Sequence, residues 1–532
     1  MKKYIFLLLI TLPQISSTQI KFQLTIGGNN GDYATSIIQT TDGGYAIAGY
    51  TSSFGAGNSD FYIAKLDGIG ALQWTKTVGG NGNEEAYSII QTADGGYAVA
   101  GYTDYYGAGG SDFFIVKLDG TGATQWSRTV GGTVNEYAYS IIQTTDGGYA
   151  VAGYTAPFGA GNTDSYIVKL DGTGTLQWTR IAGGTVDDFA YSIIQTTDGG
   201  YAIAGYTSSF GAGSRDSYIL KLDGTGTLQW TRTVGGNGNE YGRSIVQTTD
   251  GGYVVAGYTD DLGAGDYDFY IVKLGGTGTL QWTRTIGGIE RDLAYSIIQT
   301  TDGGFAVTGY TTTFGAGSGD LYIVKLGNTG TLQWSKTVGG TGSDPSYSII
   351  QTTDGGYAVT GVTTSFGTGE YDFYIVKFDG SGNTCGSSTS PPSLVGSGGT
   401  VNSPTSTITI PTPTMTMPTP STGTGGILTT ICLVIGIQPI SNEIPNSYEI
   451  YQNYPNPFNP NSKIKFQIAK VGKIFLSVYD ILGRKVATLV NEELNPGIYE
   501  VDFVGSNFSS GIYFYKLETD GFSDTKKMVL LK

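Results

Sequence analysis

Histidine is absent from all 532 residues of the chain. Catalytic systems that depend on an imidazole, such as Ser-His-Asp and Cys-His nucleophiles, are therefore excluded, and so are metal sites with histidine ligands. No GxSxG, Walker or zinc-ligand spacing is present either. Any enzyme chemistry would have to rest on Asp and Glu, and we expect a protein that is not an enzyme.

Cysteine is almost absent, since only Cys385 and Cys432 occur. In an exported chain an even pair favours a disulfide over reactive thiols. Such a bond would close a long loop, and we predict a disulfide between these two residues.

Charged residues make up only 14% of the chain, and their balance is acidic. The 29 Lys and Arg face 44 Asp and Glu, which gives a net charge of −15. A chain of this charge repels phosphate backbones, so we expect no nucleic-acid partner.

Long apolar runs are missing as well. The N-terminal MKKYIFLLLITLPQISST has two lysines, a short apolar run, a proline and small polar residues, which is typical of a secretory signal peptide. Its apolar run and the one at 427–437 are shorter than the roughly 20 residues of a membrane-spanning helix. We predict a signal peptide over residues 1–18 and no transmembrane segment in the mature chain.

Glycine and tyrosine are abundant, with 85 and 38 residues, and this indicates turn-rich β structure. The stretch SIIQTTDGGYAVAGYT recurs with a fixed period of 52 residues, as the positions of two residue types show. The DGG aspartates are Asp42, Asp94, Asp146, Asp198, Asp250, Asp302 and Asp354, and the tryptophans are Trp74, Trp126, Trp178, Trp230, Trp282 and Trp334. A fixed period of this size indicates stacked supersecondary units.

One repeat, residues 137–183, contains four runs rich in β-branched and aromatic residues, separated by Gly and Asp turn signals. Four antiparallel strands per repeat are typical of a propeller blade. The hairpin KLDGTGTLQW resembles repeats of the quinoprotein and kelch propellers. A β-solenoid and a string of immunoglobulin-like domains are alternatives, but solenoid coils are usually shorter and immunoglobulin domains need about 100 residues.

The two ends of the array predict how it closes. Counting back 52 residues from Trp74 reaches Phe22, in an extra strand before the first repeat, whereas counting forward from Trp334 reaches Gly386, where that strand is missing. We therefore predict an all-β protein with a seven-bladed β-propeller over residues 19–380, whose four-stranded blades are closed into a ring by the N-terminal strand.

After the repeats the composition changes twice. Residues 381–447 are rich in Ser, Thr, Pro and Gly and predict an extended linker, with or without O-glycans. Residues 448–532 predict a small β-sandwich and resemble the C-terminal sorting domain of the type IX secretion system. The resemblance rests on four motifs: NYPNPFNP (453–460), DILGRKV (480–486), SGIYFY (510–515) and KKMVLL (526–531).

This resemblance implies an immunoglobulin-like sandwich that engages the type IX secretion machinery and directs the protein through the periplasm and across the outer membrane. Such domains are often cleaved afterwards and can leave their cargo on surface lipopolysaccharide. We expect a secreted or cell-surface protein.

Two sets of repeated residues are candidates for binding. A carboxylate column comprises Asp32, Glu84, Glu136, Asp188, Glu240, Asp292 and Asp344, and a second acidic column comprises Asp60, Asp112, Asp164, Asp216, Asp268, Asp320 and Asp372. An aromatic column comprises Phe54, Tyr106, Phe158, Phe210, Phe314 and Phe366, with Leu262 in the fifth copy. In the usual propeller path these residues lie on one face, which we expect to be acidic.

Two interpretations of these columns stay open. In the first, the acidic face attracts calcium or cationic partners, and the aromatics stack on sugars or side chains. In the second, residues present in every repeat cap turns and pair with the repeated Lys of KLD. The sequence predicts an extracellular binding or scaffold module for a glycan or protein ligand. The alternative is an extracellular enzyme that acts on polysaccharide through Asp and Glu.

Overall fold

The computed structural model describes residues 19–156, 158–386, 388, 390–391, 394–396, 400–402, 407–409, 414–416, 421–434, 438–441, 445–505, 508–519 and 521–531. The predicted signal peptide, residues 1–18, lies outside these ranges. Every regular element in them is a β-strand, and none of them forms a helix long and apolar enough to span a membrane. The chain divides into two compact units, Phe22–Cys432 and a second that contains Leu433–Lys532.

The first unit contains seven sheets that follow the 52-residue period, and their strands are antiparallel except for the short β26 of sheet 6. The chain starts with β1 (Lys21–Gly27). Sheet 1 contains β2 (Asp32–Gln39), β3 (Tyr45–Thr51), β4 (Asp60–Leu66) and β5 (Leu72–Gly79). Sheet 2 contains β6 (Glu84–Gln91), β7 (Tyr97–Thr103), β8 (Asp112–Leu118) and β9 (Thr124–Gly131). Sheet 3 contains β10 (Glu136–Gln143), β11 (Tyr149–Thr155), β12 (Asp164–Leu170) and β13 (Leu176–Gly183).

The later sheets repeat the same arrangement. Sheet 4 contains β14 (Asp188–Gln195), β15 (Tyr201–Thr207), β16 (Asp216–Leu222) and β17 (Leu228–Gly235). Sheet 5 contains β18 (Glu240–Gln247), β19 (Tyr253–Thr259), β20 (Asp268–Leu274) and β21 (Leu280–Gly287). Sheet 6 contains β22 (Asp292–Gln299), β23 (Phe305–Thr311), β24 (Gly319–Leu326), β25 (Leu332–Val338) and the two-residue β26 (Ser343–Asp344). Sheet 7 contains β27 (Ser346–Gln351), β28 (Tyr357–Thr363) and β29 (Asp372–Phe378).

The N-terminal strand β1 completes sheet 7. It runs antiparallel to β29, with Leu24 opposite Ile375. The position of β1 confirms the pairing predicted from the repeat count, in which the first strand supplies what the last repeat lacks.

The DGG turns set the hairpins between the first two strands of each sheet. In sheet 1, Gly43 has a φ of +83°, which glycine adopts without steric cost, and the Gly44 N–H donates to Asp42 Oδ1 over 3.0 Å. The Lys65 ammonium binds Asp42 over 2.9 Å, and the equivalent pair recurs in all seven sheets. The repeated Lys therefore pairs with the DGG aspartate, and its expected pairing with the two acidic columns is wrong. In sheet 1, for example, Lys65 and Asp60 lie at opposite ends of β4.

The core of the first unit lies between successive sheets. Between sheets 2 and 3, for example, Ile115 of one sheet and Val151 of the next belong to one buried cluster, and Trp126 packs edge-on against Tyr149 with ring centroids 5.6 Å apart. Both faces of the second and third strands are buried. This explains why those strands show no alternation of polar and apolar residues.

Residues 394–434, which we call the outer segment, differ from the expected free linker. They form six strands: β30 (Leu394–Gly396), β31 (Thr400–Asn402), β32 (Thr407–Thr409), β33 (Thr414–Thr416), β34 (Ser421–Gly423) and β35 (Ile427–Val434). In order, these strands add to the edges of sheets 5, 4, 3, 2, 1 and 7. Edge pairing needs backbone hydrogen bonds rather than apolar side chains, so a Ser/Thr-rich segment can provide it.

Cys385 and Cys432 form a disulfide, with their Cα atoms 5.9 Å apart. The bond joins the end of the last repeat to β35, which lies beside β1 in sheet 7. The long loop that it closes contains most of the outer segment.

The second unit is a β-structure of two four-stranded sheets. Its strands are β36 (Gln438–Ser441), β37 (Glu449–Ile450), β38 (Asn461–Ile468), β39 (Gly472–Tyr479), β40 (Lys485–Leu494), β41 (Gly497–Val504), β42 (Gly511–Thr519) and β43 (Phe522–Leu530). The sheet orders are β36-β41-β38-β37 and β40-β39-β42-β43. Residues of both sheets, such as Phe466 and Tyr515, share one buried core.

Candidate ligand-binding site

The predicted carboxylate column is buried. All seven side chains, from Asp32 to Asp344, have no exposed surface. Each accepts a hydrogen bond from the backbone N–H of the glycine four residues earlier, as Glu136 does from Gly132 over 2.7 Å. Glu136 also accepts from the Thr155 hydroxyl at the end of the next strand, over 3.0 Å. These carboxylates fix the loops that enter the first strand of each sheet.

The second acidic column is buried too, and it holds the GAG loops. Asp60 is 1% exposed, and its Oδ2 accepts from the N–H groups of Ala56 and Gly57 over 3.0 and 3.2 Å. Equivalent contacts recur in the other sheets, for example at Asp268 and Asp320.

Burial has a clear electrostatic effect on both columns. It raises the pKa of Asp112 to about 7, with a further contribution from the neighbouring Glu136 carboxylate. Burial also raises the pKa of Asp292 to about 6 and that of Asp164 to about 6. Carboxylates with raised pKa values are less charged near neutral pH than exposed ones. The expected exposed acidic face is therefore wrong for these two columns.

The aromatic column is half-buried and belongs to the edge of the core. Phe54 lies 5.8 Å from Tyr62 between ring centroids, and Phe366 lies 5.7 Å from Tyr374. The other members are placed in the same way: Tyr106 against Phe114, Phe158 against Tyr166, Phe210 against Tyr218 and Phe314 against Tyr322. Leu262 packs at the equivalent place between sheets. These contacts give the aromatic column a structural role in every sheet, and ligand stacking by it stays a prediction.

A different set of aromatic residues lies on the first strands of the sheets. Tyr139 contacts Tyr87 on one side and Tyr191 on the other, with ring centroids 5.0 Å apart in both pairs. Tyr295 and Tyr347 are 5.2 Å apart in the same way. We call these five tyrosines, together with Arg243, the inner stack; all six side chains are half-buried.

Arg243 occupies the place of a tyrosine within the inner stack. Its guanidinium carbon lies 4.0 Å from the ring centroid of Tyr191 and 5.8 Å from that of Tyr295. Its Nη2 donates to the Tyr258 hydroxyl over 2.5 Å. No ion pair joins Arg243 to an Asp or Glu among the residues that the structure describes, and its buried Nε lacks a hydrogen-bond partner there. Aromatic faces thus stabilise a cation that no carboxylate neutralises.

A second arginine lies close to this place. The guanidinium carbon of Arg215 is 5.4 Å from the ring centroid of Tyr206 and 5.6 Å from that of Tyr241, and its Nη1 donates to the Tyr241 hydroxyl over 2.5 Å. Tyr241 is also a neighbour of Arg243, whose guanidinium lies 5.7 Å from its ring. Arg215 and Arg243 therefore share contact with the ring of Tyr241.

The inner stack was missed at the sequence level because its tyrosines match the ordinary β-strand composition. A column alignment would have found the exception: the 52-residue period aligns Arg243 with Thr35, Tyr87, Tyr139, Tyr191, Tyr295 and Tyr347. Arg243 is the only charged residue in that column. A charged residue in a position that is aromatic in five of the other six repeats is a sequence signal for a site specific to one repeat.

The four sorting motifs come together in the second unit. The Asn453 N–H donates to the Tyr515 hydroxyl over 2.7 Å, and Asn453 Nδ2 donates to Ser462 Oγ over 2.8 Å. Asp480 forms the next turn, where its Oδ2 accepts from Arg484 Nε over 2.7 Å. This turn exposes Ile481 and Leu482, which are 69% and 72% accessible. The motifs therefore combine internal anchors with one exposed apolar turn.

Comparison with known proteins gives a family for the second unit. Residues 452–531 match the family model of the secretion system C-terminal sorting domain. A curated relative is regulatory protein FlaEY of Caulobacter vibrioides, with 28% identity over 191 residues; the match covers 32% of this chain and 20% of that protein. The chain thus spans about a fifth of that relative's length.

Two solved structures give weak likenesses. The native conformation of E. coli alpha-2-macroglobulin has 7% identity and a TM-score of 0.11 over 96% of this chain and 44% of that one. Trypsin-activated alpha-2-macroglobulin from the same organism has 7% identity and a TM-score of 0.09 over 96% and 46%. Neither supports an argument about fold. The family match and the motifs lead to one conclusion: the chain carries a type IX C-terminal sorting domain and is exported by type IX secretion to the cell surface or the medium.

Proposed function

We propose that the seven sheets form a closed seven-bladed β-propeller, residues 19–380, which acts outside the cell as a binding module. Hydrogen bonds between successive first strands support closure. In each, the backbone N–H of an Ile donates to a Ser Oγ of the preceding sheet over 3.2 to 3.4 Å. The pairs are Ile89–Ser36, Ile141–Ser88, Ile193–Ser140, Ile245–Ser192, Ile297–Ser244, Ile349–Ser296 and Ile37–Ser348.

The remaining domains of the proposal follow the sequence. Residues 1–18 act as the signal peptide. Residues 381–447 connect the propeller to the sorting domain, and they also supply the edge strands of the propeller sheets. Residues 448–532 form an immunoglobulin-like sandwich, which two antiparallel sheets around one core support. Delivery by the sorting domain gives the binding module its place outside the cell.

The ligand binds at the inner stack around Arg243, and we propose an acidic extracellular glycan. The observation that carries this proposal is a half-buried guanidinium among tyrosine rings without a carboxylate partner in the described residues. Arginine binds carboxylates and sulfates through paired N–H groups, and aromatic rings stack on the apolar faces of sugars. A uronic-acid or sulfated sugar offers both groups.

The alternative function, a polysaccharide-cleaving enzyme, loses its main support. Its catalytic residues would come from the carboxylate columns, and these side chains have almost no exposed surface. A general acid must reach the glycosidic oxygen directly or through one water, which these buried groups do not.

A glycan array tests the proposed function on the full chain, with neutral, uronic-acid and sulfated glycans printed together. We expect wild-type protein to bind acidic glycans. The Arg243→Tyr variant should bind them at least about tenfold more weakly, because a charged bidentate contact is lost. Arg180→Lys is the matched control, because Lys occupies the same column in Lys76 and Lys336. Equal binding by the Arg243→Tyr variant, or no glycan bound at all, would contradict the proposal.

A further inference from the structure

Sheet 5 differs from its neighbours in the groups around its buried carboxylate. In sheets 1, 4, 6 and 7 the residue two positions after the second strand carries a hydroxyl, which donates to the buried aspartate. The pairs are Ser53–Asp32 at 2.8 Å, Ser209–Asp188 at 2.7 Å, Thr313–Asp292 at 2.9 Å and Ser365–Asp344 at 2.6 Å. In sheet 5 the hydroxyl is replaced by Asp261, so an acceptor faces the buried carboxylate of Glu240.

Three carboxylates meet at this place. One oxygen from each of Glu240, Asp260 and Asp261 lies within 4.8 Å of the others. Oxygens bound to one calcium ion at 2.3 to 2.6 Å are separated by up to about 5 Å, so this spacing suits a shared cation. Glu240 is buried, Asp260 is half-buried and Asp261 is exposed, which leaves a route from solvent to the cluster.

A fourth carboxylate points toward the same cluster from sheet 4. Asp216 is 1% exposed, and its Oδ1 has no hydrogen-bond partner. A Cβ atom on Gly235 would stand 2.1 Å from Glu240 Oε2 and 2.4 Å from Asp216 Oδ1, so these two oxygens lie within 4.5 Å of each other. A buried carboxylate oxygen without a donor is costly, and the same oxygen lacks a partner in Asp112, Asp164 and Asp320. At Asp216 it lies beside Glu240 of the three-carboxylate cluster, where a bound cation would remove that cost.

Among the described residues, no Lys or Arg neutralises these carboxylates. Arg215 directly precedes Asp216, and its guanidinium contacts Tyr206 and Tyr241. Arg243 lies on the strand of Glu240, and its guanidinium contacts Tyr191 and Tyr258. None of the four carboxylates forms an ion pair with a Lys or Arg in the described part of the chain.

We propose that Glu240, Asp260, Asp261 and Asp216 form a binding site for one divalent cation of the calcium type. The four ligands are hard carboxylate oxygens, with no nitrogen or sulfur, and they come from loop and strand ends that allow variable coordination. This donor set suits calcium better than zinc or copper. The site is independent of the inner stack and of the proposed glycan ligand.

Sheet 2 provides the matched control. Asp104 occupies the position of Asp260 and makes the same contacts, accepting from Asn83 N and Nδ2 over 2.6 and 2.7 Å, as Asp260 does from Asn239 over 2.7 and 2.6 Å. Its sheet has Tyr105 in place of Asp261, however. Asp104→Ser therefore removes an equivalent carboxylate without touching a three-carboxylate cluster.

The test is calorimetric titration of calcium chloride into the chelator-treated full chain. We expect one calcium per chain with a Kd of about 10⁻⁴ to 10⁻³ M, the range of extracellular modules. Asp260→Ser and Asp261→Ser should each weaken binding about tenfold or more, while Asp104→Ser leaves it unchanged. Asp261→Ser installs the residue that sheets 1, 4 and 7 carry, and tryptophan fluorescence checks that each variant is folded.

Three results would overturn the site. The first is wild-type protein that takes up no calcium at concentrations up to about 10 mM. The second is binding weakened equally by Asp104→Ser, which would indicate a general effect of surface charge. The third is evidence that a proton on Glu240, rather than a cation, relieves the repulsion between the carboxylates. Burial and the Asp261 carboxylate raise the pKa of Glu240 to about 8, so Glu240 would then hold that proton near neutral pH. In that case thermal stability would fall as the pH rises toward 8 and would not respond to calcium.

Discussion

The backbone N–H of Ile37 donates to Ser348 Oγ over 3.2 Å, although 311 residues separate them in the chain. The six other sheet-to-sheet contacts of this kind join residues 53 apart. A second series of contacts behaves in the same way. Its members join a backbone N–H to a Gln side chain 50 residues later, as Thr41 does to Gln91, whereas the last member joins Thr353 N to Gln39 Oε1. The first and last sheets therefore make the contacts that every other neighbouring pair makes.

If the ring is closed, the serine between the last and first sheets should contribute as much to the free energy of unfolding as the equivalent serines between other sheets. We expect Ser348→Ala to lower the free energy of unfolding by about 1 kcal/mol, because the Ile37 N–H loses its acceptor. Ser140→Ala, which removes the acceptor of Ile193, should cost the same. Urea unfolding followed by tryptophan fluorescence measures both, and a neutral Ser348→Ala beside a costly Ser140→Ala would contradict closure.

The repeats were predictable because their signals are local and occur seven times. The DGG turns, the paired runs of β-branched residues and the Phe22 to Trp74 offset together fixed four strands per sheet and the partner of β1. The sorting domain was predictable from short motifs, which in the structure link Asn453 to Tyr515.

Two features could not be predicted because their causes are not local. The outer segment contains three-residue strands such as β32, stabilised by backbone bonds to a sheet edge rather than by an apolar pattern. The burial of Asp32 and its equivalents depends on the neighbouring sheet: a Cβ on Gly27 would stand 1.8 Å from Asp372 Oδ1 and 2.9 Å from Asp32 Oδ2. Loop carboxylates are usually solvated, so sequence alone favoured an exposed acidic face.

Arg243 should reduce stability relative to the residue of the neighbouring repeats. Its buried Nε has no partner among the described residues, and an unsatisfied buried donor costs about 1 to 3 kcal/mol. We expect Arg243→Tyr to raise the free energy of unfolding, since Tyr already stands at the equivalent position in five repeats. Chemical denaturation measures the change, and Arg180→Lys serves again as control. A clear loss of stability would show that the guanidinium is a structural element rather than one retained for binding.

The buried carboxylates predict a pH dependence of stability. The pKa of Asp112 is raised by burial and by Glu136 to about 7, above its unfolded value near 4. The folded state therefore binds more protons between these limits, and the free energy of unfolding should fall as pH rises from about 4 to about 7.

Asp112→Asn should flatten part of this slope, because the amide does not titrate. Asp119→Asn is the control: its hydrogen bond from Thr121, followed by that from Ala123, lowers the pKa of this half-buried turn residue, so its titration lies below the window. Tryptophan fluorescence monitors the unit that contains all six tryptophans. An unchanged slope in Asp112→Asn would contradict the raised pKa.

The disulfide between Cys385 and Cys432 should hold the outer segment against the sheets. The cysteines are 47 positions apart, and a loop of that size is worth about 4 kcal/mol in the chain-entropy model. The short strands that it encloses, such as β31 and β33, pair through three residues each.

We therefore expect reduction, or the double substitution Cys385→Ser and Cys432→Ser, to release these strands before the repeats unfold, because local opening begins where few contacts resist it. Hydrogen exchange read by mass spectrometry should then show lost protection in residues 394–434 and in the edge strands they cover, such as β13 and β17, while first strands such as β10 and β14 stay protected. Unchanged exchange in the outer segment after reduction would mean that edge pairing alone holds it, and loss of protection throughout the first unit would mean that the disulfide supports the whole set of sheets.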